Sequence, residues 1–380
     1  MAHVLVVGAG VFGAWSALEL ARAGHQVTLV DAYGPGNGRA SSADHSRVMR
    51  AGYGRDAIYS EWAVHSCDRW LWLSAEAGTP LFEQTGALFM GAPGHEYIRE
   101  THATLSSLGI PVEWLDTMDV DRRWPQIATT GLGPAVYEPS AGVLRARPGV
   151  RAVVKVAIER YQVIYATACV SPLDESRSTP MVDAVSGQRL DADAYVIACG
   201  PWLPGVLPAA VGDRIRATRQ EVLYFGIPPG DKRHGVEQLP VWIDFGAGLY
   251  GIPDFDGYGF KVGIDRHGPP LDPGTADRLA DPEIVSSTRS WLSTRFPAMA
   301  GAPLVDARVC QYESSSTGDF IIDRHPAWPN VWIVGGGSGH GFKHGPAVGR
   351  YVADLIDGRI APNPRFALET KTGEAERTVY

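Results

Sequence analysis

Near the amino terminus, Gly8-Ala-Gly10-Val-Phe-Gly13 has the spacing of a turn that cradles a pyrophosphate. Glycines there permit a tight turn and a close backbone approach to phosphate at a helix N-terminus. Asp31 follows at the distance from which a carboxylate grips a ribose hydroxyl. A GxGxxG string alone also fits a structural turn. The apolar strand before it, the helix after it and a second strand ending at Asp31 select the dinucleotide reading, without separating FAD from NAD.

Other residue types carry chemistry further along. Arg47 and Arg50 bring planar forks suited to a carboxylate, although their spacing also fits a solvated helical face, and a helix is expected there. In Tyr258-Gly-Phe-Lys261-Val-Gly-Ile-Asp265, strand alternation puts Lys261 and Asp265 on one face with Gly259 and Gly263. A lysine between glycines is expected to have open space around it; alone, the segment also reads as a half-exposed strand. Residues 335–345 deliver backbone donors and a helix N-terminus to one place, which favours negative charge, and His340 within them reads first as a loop-shaping residue. Cys67, Cys169, Cys199 and Cys310 are scattered without CxxC spacing, so neither a disulfide framework nor a zinc site is expected. Metal-ligand spacing and a Ser-His-Asp arrangement are absent as well.

The elements that must position these residues begin with a β-α-β unit: a strand over residues 3–7, a helix over 11–23 stopped by Gly24, and a strand over 25–30. A turn-rich loop, Gly34-Pro35-Gly36-Asn37-Gly38, leads to Ser41 and Ser42. Strand character returns over 163–170, followed by a hairpin-like stretch with a Ser186-Gly187 turn and a buried run ending at Gly200. Residues 220–265 read as antiparallel strands, 331–334 as a buried strand, and a helix runs from Pro346 to about Asp357. The residues after Pro362 are polar and expected to be poorly ordered. With 380 residues and 45% hydrophobic content, the chain can build two cores. Its net charge of -8, without long charge runs, disfavours nucleic-acid or acidic-membrane partners and favours a small molecule. The opening Met1-Ala2-His3 leaves no room for a targeting signal, and no stretch reaches about 20 apolar residues, so a cytoplasmic location is expected.

Cys310-Gln-Tyr312, Asp319-Phe-Ile-Ile-Asp323-Arg-His-Pro326 and Gly336-Gly-Ser-Gly-His-Gly-Phe-Lys343 occur in order. With Ser46-Arg47-Val-Met-Arg50-Ala-Gly-Tyr53-Gly54, Trp124-Pro125, Glu138-Pro-Ser-Ala-Gly142-Val-Leu144, Tyr250-Gly-Ile-Pro253 and Gly259-Phe-Lys261-Val-Gly263, the chain resembles the monomeric sarcosine oxidase family of FAD-dependent amine and amino-acid oxidases, which includes N-methyltryptophan and pipecolate oxidase-like enzymes. The resemblance implies an α/β fold: a Rossmann-type, glutathione reductase-like FAD domain with a parallel sheet, from residues 1–83, 142–213 and 308–380. A mostly antiparallel, mixed-sheet substrate domain would comprise 84–141 and 214–307.

It further implies FAD held by Gly8, Gly10, Val11, Phe12, Gly13 and Asp31, by Ser41, Ser42 and Arg47, by Val170, Gly200 and Trp202, and by Gly336, Gly339, His340, Gly341, Phe342 and Lys343. The sulfur of Cys310 would bond the 8α carbon of the flavin, with Arg47 favouring the thiolate. Arg50 and Lys343 would grip the substrate carboxylate, Tyr250 and Gly337 would line the substrate site, and Lys261 would activate oxygen. Asp265 stands where the family has histidine, Ala43 where it often has histidine, and Gly337 where it usually has phenylalanine; the last departure suggests a bulkier cyclic or aromatic substrate. The implied reaction is hydride transfer from the carbon beside the substrate nitrogen to flavin N5, giving an imine, with O2 reduced to hydrogen peroxide by a monomer. A dehydrogenase of the same fold using another acceptor, and a dinucleotide-binding sensor without turnover, are the competing readings.

Overall fold

A computed structural model describes residues 1–174 and 181–372. The apolar run His3–Val7 forms the central strand of a six-stranded sheet. It pairs in parallel with Gln26–Asp31 on one side and Ala194–Ile197 on the other, in register Val4 with Val27 and with Ala194. Ile164–Thr167 extends one edge in parallel, Val331–Gly335 the other, and Ile321–Arg324 closes that edge antiparallel. Side chains alternate into two cores. Val4 and Val6 pack with the helices Val11–Arg22, Ala146–Tyr161 and Gly345–Ile356, while Leu5 and Val7 pack with Leu203, Leu207 and Ile333. Burial on both faces explains why this strand is a continuous apolar run rather than an alternating one.

A second sheet has eight strands, in the order Leu304–Ser315, Ile215–Phe225, Phe260–Ile264, Leu249–Ile252, Val241–Asp244, Ala87–Met90, Ala135–Glu138 and Glu113–Leu115. All neighbours are antiparallel except Val241–Asp244 with Ala87–Met90. Both sheets and the β-α-β unit match the expected mixed α/β architecture.

Two expectations are corrected. Arg47 lies on a strand, Ser46–Met49, and not on a helix: this strand pairs antiparallel with Gly142–Arg145, which also pairs with Phe82–Gln84. A partner nearly a hundred residues away takes the backbone bonds that a helix would have made locally. The segment after Pro362 is also structured through residue 372. Phe366 is fully buried against Tyr59, Trp62 and Phe320, and the Arg365 guanidinium bridges Asp56 and Asp319. One apolar anchor and two ion pairs outweigh the polar composition. The remainder of that tail, 373–380, and the part of the hairpin-like stretch at 175–180 lie outside the described residues. Among the described residues no helix is long and apolar enough to cross a membrane.

Candidate active site

The first glycine turn is closed by backbone. Gly8 has φ +103°, and a Cβ there would lie 2.3 Å from the carbonyl oxygen of Ala198; one at Gly13 would lie 1.8 Å from that of Gly8. Gly13 therefore packs the helix onto the turn, while Gly8, Gly10, Val11 and Phe12 line a continuous cavity. Asp31 fixes the next loop: Oδ1 accepts from the amides of Tyr33 and Gly34 at 2.7 and 2.8 Å, and Oδ2 from that of Ala9 at 2.8 Å. A carboxylate has about four acceptor sites, so Asp31 keeps capacity for a ligand hydroxyl. The Ser42 hydroxyl accepts from the Val11 amide at 2.9 Å and so caps the helix.

The same cavity is walled by Val170, Gly200 and Trp202, by Ser41, Ser42 and Arg47, and by Gly339, His340, Gly341 and Phe342. Arg50, Tyr250, Asp265, Gly337, Lys343 and Cys310 line it as well. Gly336 does not reach the wall and serves the loop through its φ of +67°. His340 is held on both sides, Nε2 at 3.0 Å from the Gly318 carbonyl and Nδ1 at 3.3 Å from the Tyr53 hydroxyl, and it stacks on Phe320.

Lys261 does not have open space around it. Gly263 leaves room for the ring of Tyr250, and Lys261, 1% exposed, sits behind the wall with Nζ donating to Asp44 Oδ2 at 2.7 Å and to the Ser46 carbonyl at 2.8 Å. Arg47 donates to the same Asp44 oxygen at 2.8 Å and reaches within 3.8 Å of the Cys310 sulfur. Burial alone would raise the Asp44 pKa, but Lys261 and Arg47 hold it well below the ordinary carboxylate range. Burial keeps Lys261 below the usual lysine range despite Asp44.

Arg50 is buried over the ring of Tyr53, 4.5 Å from its centroid, and donates to the Gly52 carbonyl. Lys343 donates to the Tyr53 hydroxyl at 2.7 Å and to the His340 carbonyl at 3.1 Å. Tyr53 thus ties the two cations together. Below them Glu138 accepts from the amides of Ala51 and Gly52; burial pushes its pKa up to about 7, opposed by those amides and by Arg50 and Lys343. Asp265 accepts from the Tyr312 hydroxyl at 3.1 Å. The side chain missing at Gly337 would point at Glu313, its Cβ 3.0 Å from Oε1, so a carboxyl occupies part of the room left by glycine.

Sequence reasoning did not single out Asp44, Tyr53, Glu138 or Glu313 as site residues. Asp44 carried a local signal, an acid three residues before Arg47, and Tyr53 another, a ring three residues after Arg50; Lys343 and the partners of Glu138 and Glu313 are far away in the chain.

A nucleotide cofactor fits this cavity. The glycine cradle is too tight for a Cβ at Gly8 or Gly13, and Ser41 Oγ, Gln311 Oε1 and Glu313 Oε2 line the cavity buried and without protein partners among the described residues. Fold and site together define a dinucleotide-binding oxidoreductase. The chain belongs to the FAD dependent oxidoreductase family, whose model matches residues 3–355. It is 30% identical to monomeric sarcosine oxidase of Bacillus sp. (strain B-0618) over 357 residues, 93% of this chain and 91% of that one. Identity to N-methyl-L-tryptophan oxidase of Yersinia pestis (strain Pestoides F) is 25% over 373 residues, 94% and 96% of the two chains. The L-proline dehydrogenase structure from P. horikoshii superposes with a TM-score of 0.82 at 20% identity, covering 96% of both, which supports the fold.

Proposed function

We propose that this enzyme oxidises an amino acid, secondary or primary, at the carbon beside its nitrogen, and that it works as a cytoplasmic monomer. The observation that carries the reading is the pair of buried cations, Arg50 and Lys343, joined by Tyr53 in the same cavity as the glycine cradle. Two fixed, buried cations would receive a carboxylate and so orient the adjacent carbon. Glu138 beneath them keeps the loop 51–52 in place through its two amide bonds. Bound FAD would supply the two-electron acceptor for that carbon–hydrogen bond, with O2 as the final oxidant and hydrogen peroxide as product. Gly8, Gly10, Asp31 and the 335–345 loop would hold the cofactor, and Cys310, with Arg47 beside its sulfur, would tether it covalently.

Buried Lys261 and Asp44 and half-buried Arg47 form a cluster with one negative charge against two positive ones. The surplus positive charge reaches the cavity through Arg47, where it would stabilise negative charge appearing on oxygen. Asp265, a carboxylate lining the cavity, would suit a substrate ammonium or hydroxyl group. A preference for a bulkier cyclic or aromatic substrate rests on Gly337, and the carboxyl of Glu313 reduces the space available for it.

The test is a peroxide assay with sarcosine, proline, pipecolate, an N-methyl aromatic amino acid and primary amino acids. Peroxide formation with at least one of them is expected. Turnover only with an artificial acceptor under anaerobic conditions would favour a dehydrogenase, and no turnover with any acceptor a binding protein.

A further inference from the structure

Leu304–Ser315 is an edge strand of the eight-stranded sheet, and it brings Cys310, Gln311, Tyr312 and Glu313 to the cavity wall together. Alternation along a strand separates Cys310 and Tyr312 from Gln311 and Glu313. Tyr312 turns to Asp265 on the substrate side. Gln311 donates its amide nitrogen to the Arg39 carbonyl at 2.6 Å, which leaves Oε1 buried with no partner among the described residues. Glu313 repeats the pattern two residues on: Oε1 accepts from the Gly337 amide at 3.3 Å, and Oε2 is buried with no partner among the described residues.

Space is kept open for this carboxyl. A Cβ at Gly200, which has φ +54°, would lie 2.6 Å from Glu313 Oε2. Gly200 and Gly337 follow the parallel strands Ala194–Ile197 and Val331–Gly335, at the same carboxyl edge of the sheet that carries Gly8 after His3–Val7. Ligands of open α/β sheets bind beyond that edge. A buried oxygen without a donor is costly, and two of them on one strand face, about 7 Å apart by strand geometry, match the spread of a short run of hydroxyl groups. Burial has pushed the Glu313 pKa up to about 7, with only the Gly337 amide opposing it, as expected of a buried carboxyl with a donor on one oxygen alone.

We propose that Glu313, with Gln311 beside it, accepts hydrogen bonds from the hydroxyl-bearing chain of the bound dinucleotide, between its pyrophosphate and its ring. This rests on the FAD reading above. It makes Glu313 a cofactor-positioning residue and not a catalytic one.

The experiment uses Cys310→Ala protein, so that binding is reversible, and titrates FAD and ADP separately, ADP having the adenosine and pyrophosphate but not the polyol. Adding Glu313→Leu should weaken FAD about tenfold or more while leaving ADP within about twofold. Glu313→Gln, which keeps an acceptor oxygen, should recover most of the loss and keep the visible spectrum of the bound flavin. Equal affinity for FAD with and without Glu313→Leu would overturn the proposal, as would equal weakening of FAD and ADP, the mark of a general structural defect. If the Cys310→Ala protein binds ADP but not FAD, the flavin reading falls and the proposal with it.

Discussion

Asp44 is the residue on which the cationic wall depends. Its two oxygens receive Lys261 and Arg47 at 2.7 and 2.8 Å, Arg308 at 3.3 Å, and the Tyr224 hydroxyl. Its backbone sits in the left-handed region, φ +96°, which aspartate tolerates better than most residues. Asp44→Asn would leave Lys261 as a buried charge, and Arg47 as a half-buried one, without this counter-ion, a loss of about 3 to 5 kcal/mol that urea unfolding should register. Lys261→Met is gentler, because Asp44 keeps both arginines. Its expected signature is kinetic: reoxidation by oxygen slows at least about tenfold more than reduction by substrate in stopped-flow traces. Equal slowing of both half-reactions would assign Lys261 to substrate positioning. The pH dependence has a definite sign. Burial lowers the Lys261 pKa, so its charge is present at low pH and is lost as pH rises through a value below the ordinary 10.5. The oxygen half-reaction should decline over that range, and in Lys261→Met that decline should vanish.

At the scale of elements, the glycine turn and its flanking strands were legible because each signal is local: an apolar run, glycines that only backbone can follow, and a second strand ending in Asp31. Gly8→Ala tests this element directly. The added Cβ meets the Ala198 carbonyl, a backbone group that cannot turn aside, and the φ of +103° is strained for alanine. A stability loss of at least about 1 to 3 kcal/mol is expected, together with loss of bound flavin. A variant that melts and binds flavin as the parent does would remove Gly8 from the cradle. What the sequence hid was set by distant pairing. Arg47 and Arg50 suggested a helix by their spacing, but the ladder from Ser46–Met49 to Gly142–Arg145 separates them, sending Arg47 to Asp44 and Arg50 to Tyr53. Lys261 looked open because it stands between Gly259 and Gly263; Gly263 admits Tyr250 from the adjacent strand, and Gly259 lies against the Phe225 carbonyl and Val305. Phe366 seemed part of a polar tail because Tyr59, Trp62 and Phe320, which bury it, lie far away in the chain.

Across the whole molecule, the cavity draws its walls from all three sheets. The six-stranded sheet supplies Gly8 and Gly200, the three-stranded sheet Arg47, and the eight-stranded sheet Cys310 and Tyr312. A ligand filling it therefore binds only when these sheets are correctly placed, and its binding free energy adds to the stability of the assembled fold. The form of that dependence distinguishes a tethered cofactor from a free one. In Cys310→Ala protein, raising free FAD to about a hundred times its Kd should add about 2.7 kcal/mol, a rise in Tm of a few degrees for a chain of this size. In the parent, a flavin fixed through Cys310 is always at its site, so Tm should not respond to added FAD, and acid denaturation should leave the yellow colour on the precipitated protein. Release of all the flavin into the acid supernatant of the parent, with a Tm that rises on adding FAD just as in Cys310→Ala, would show that Cys310 lines the cavity without bonding its occupant.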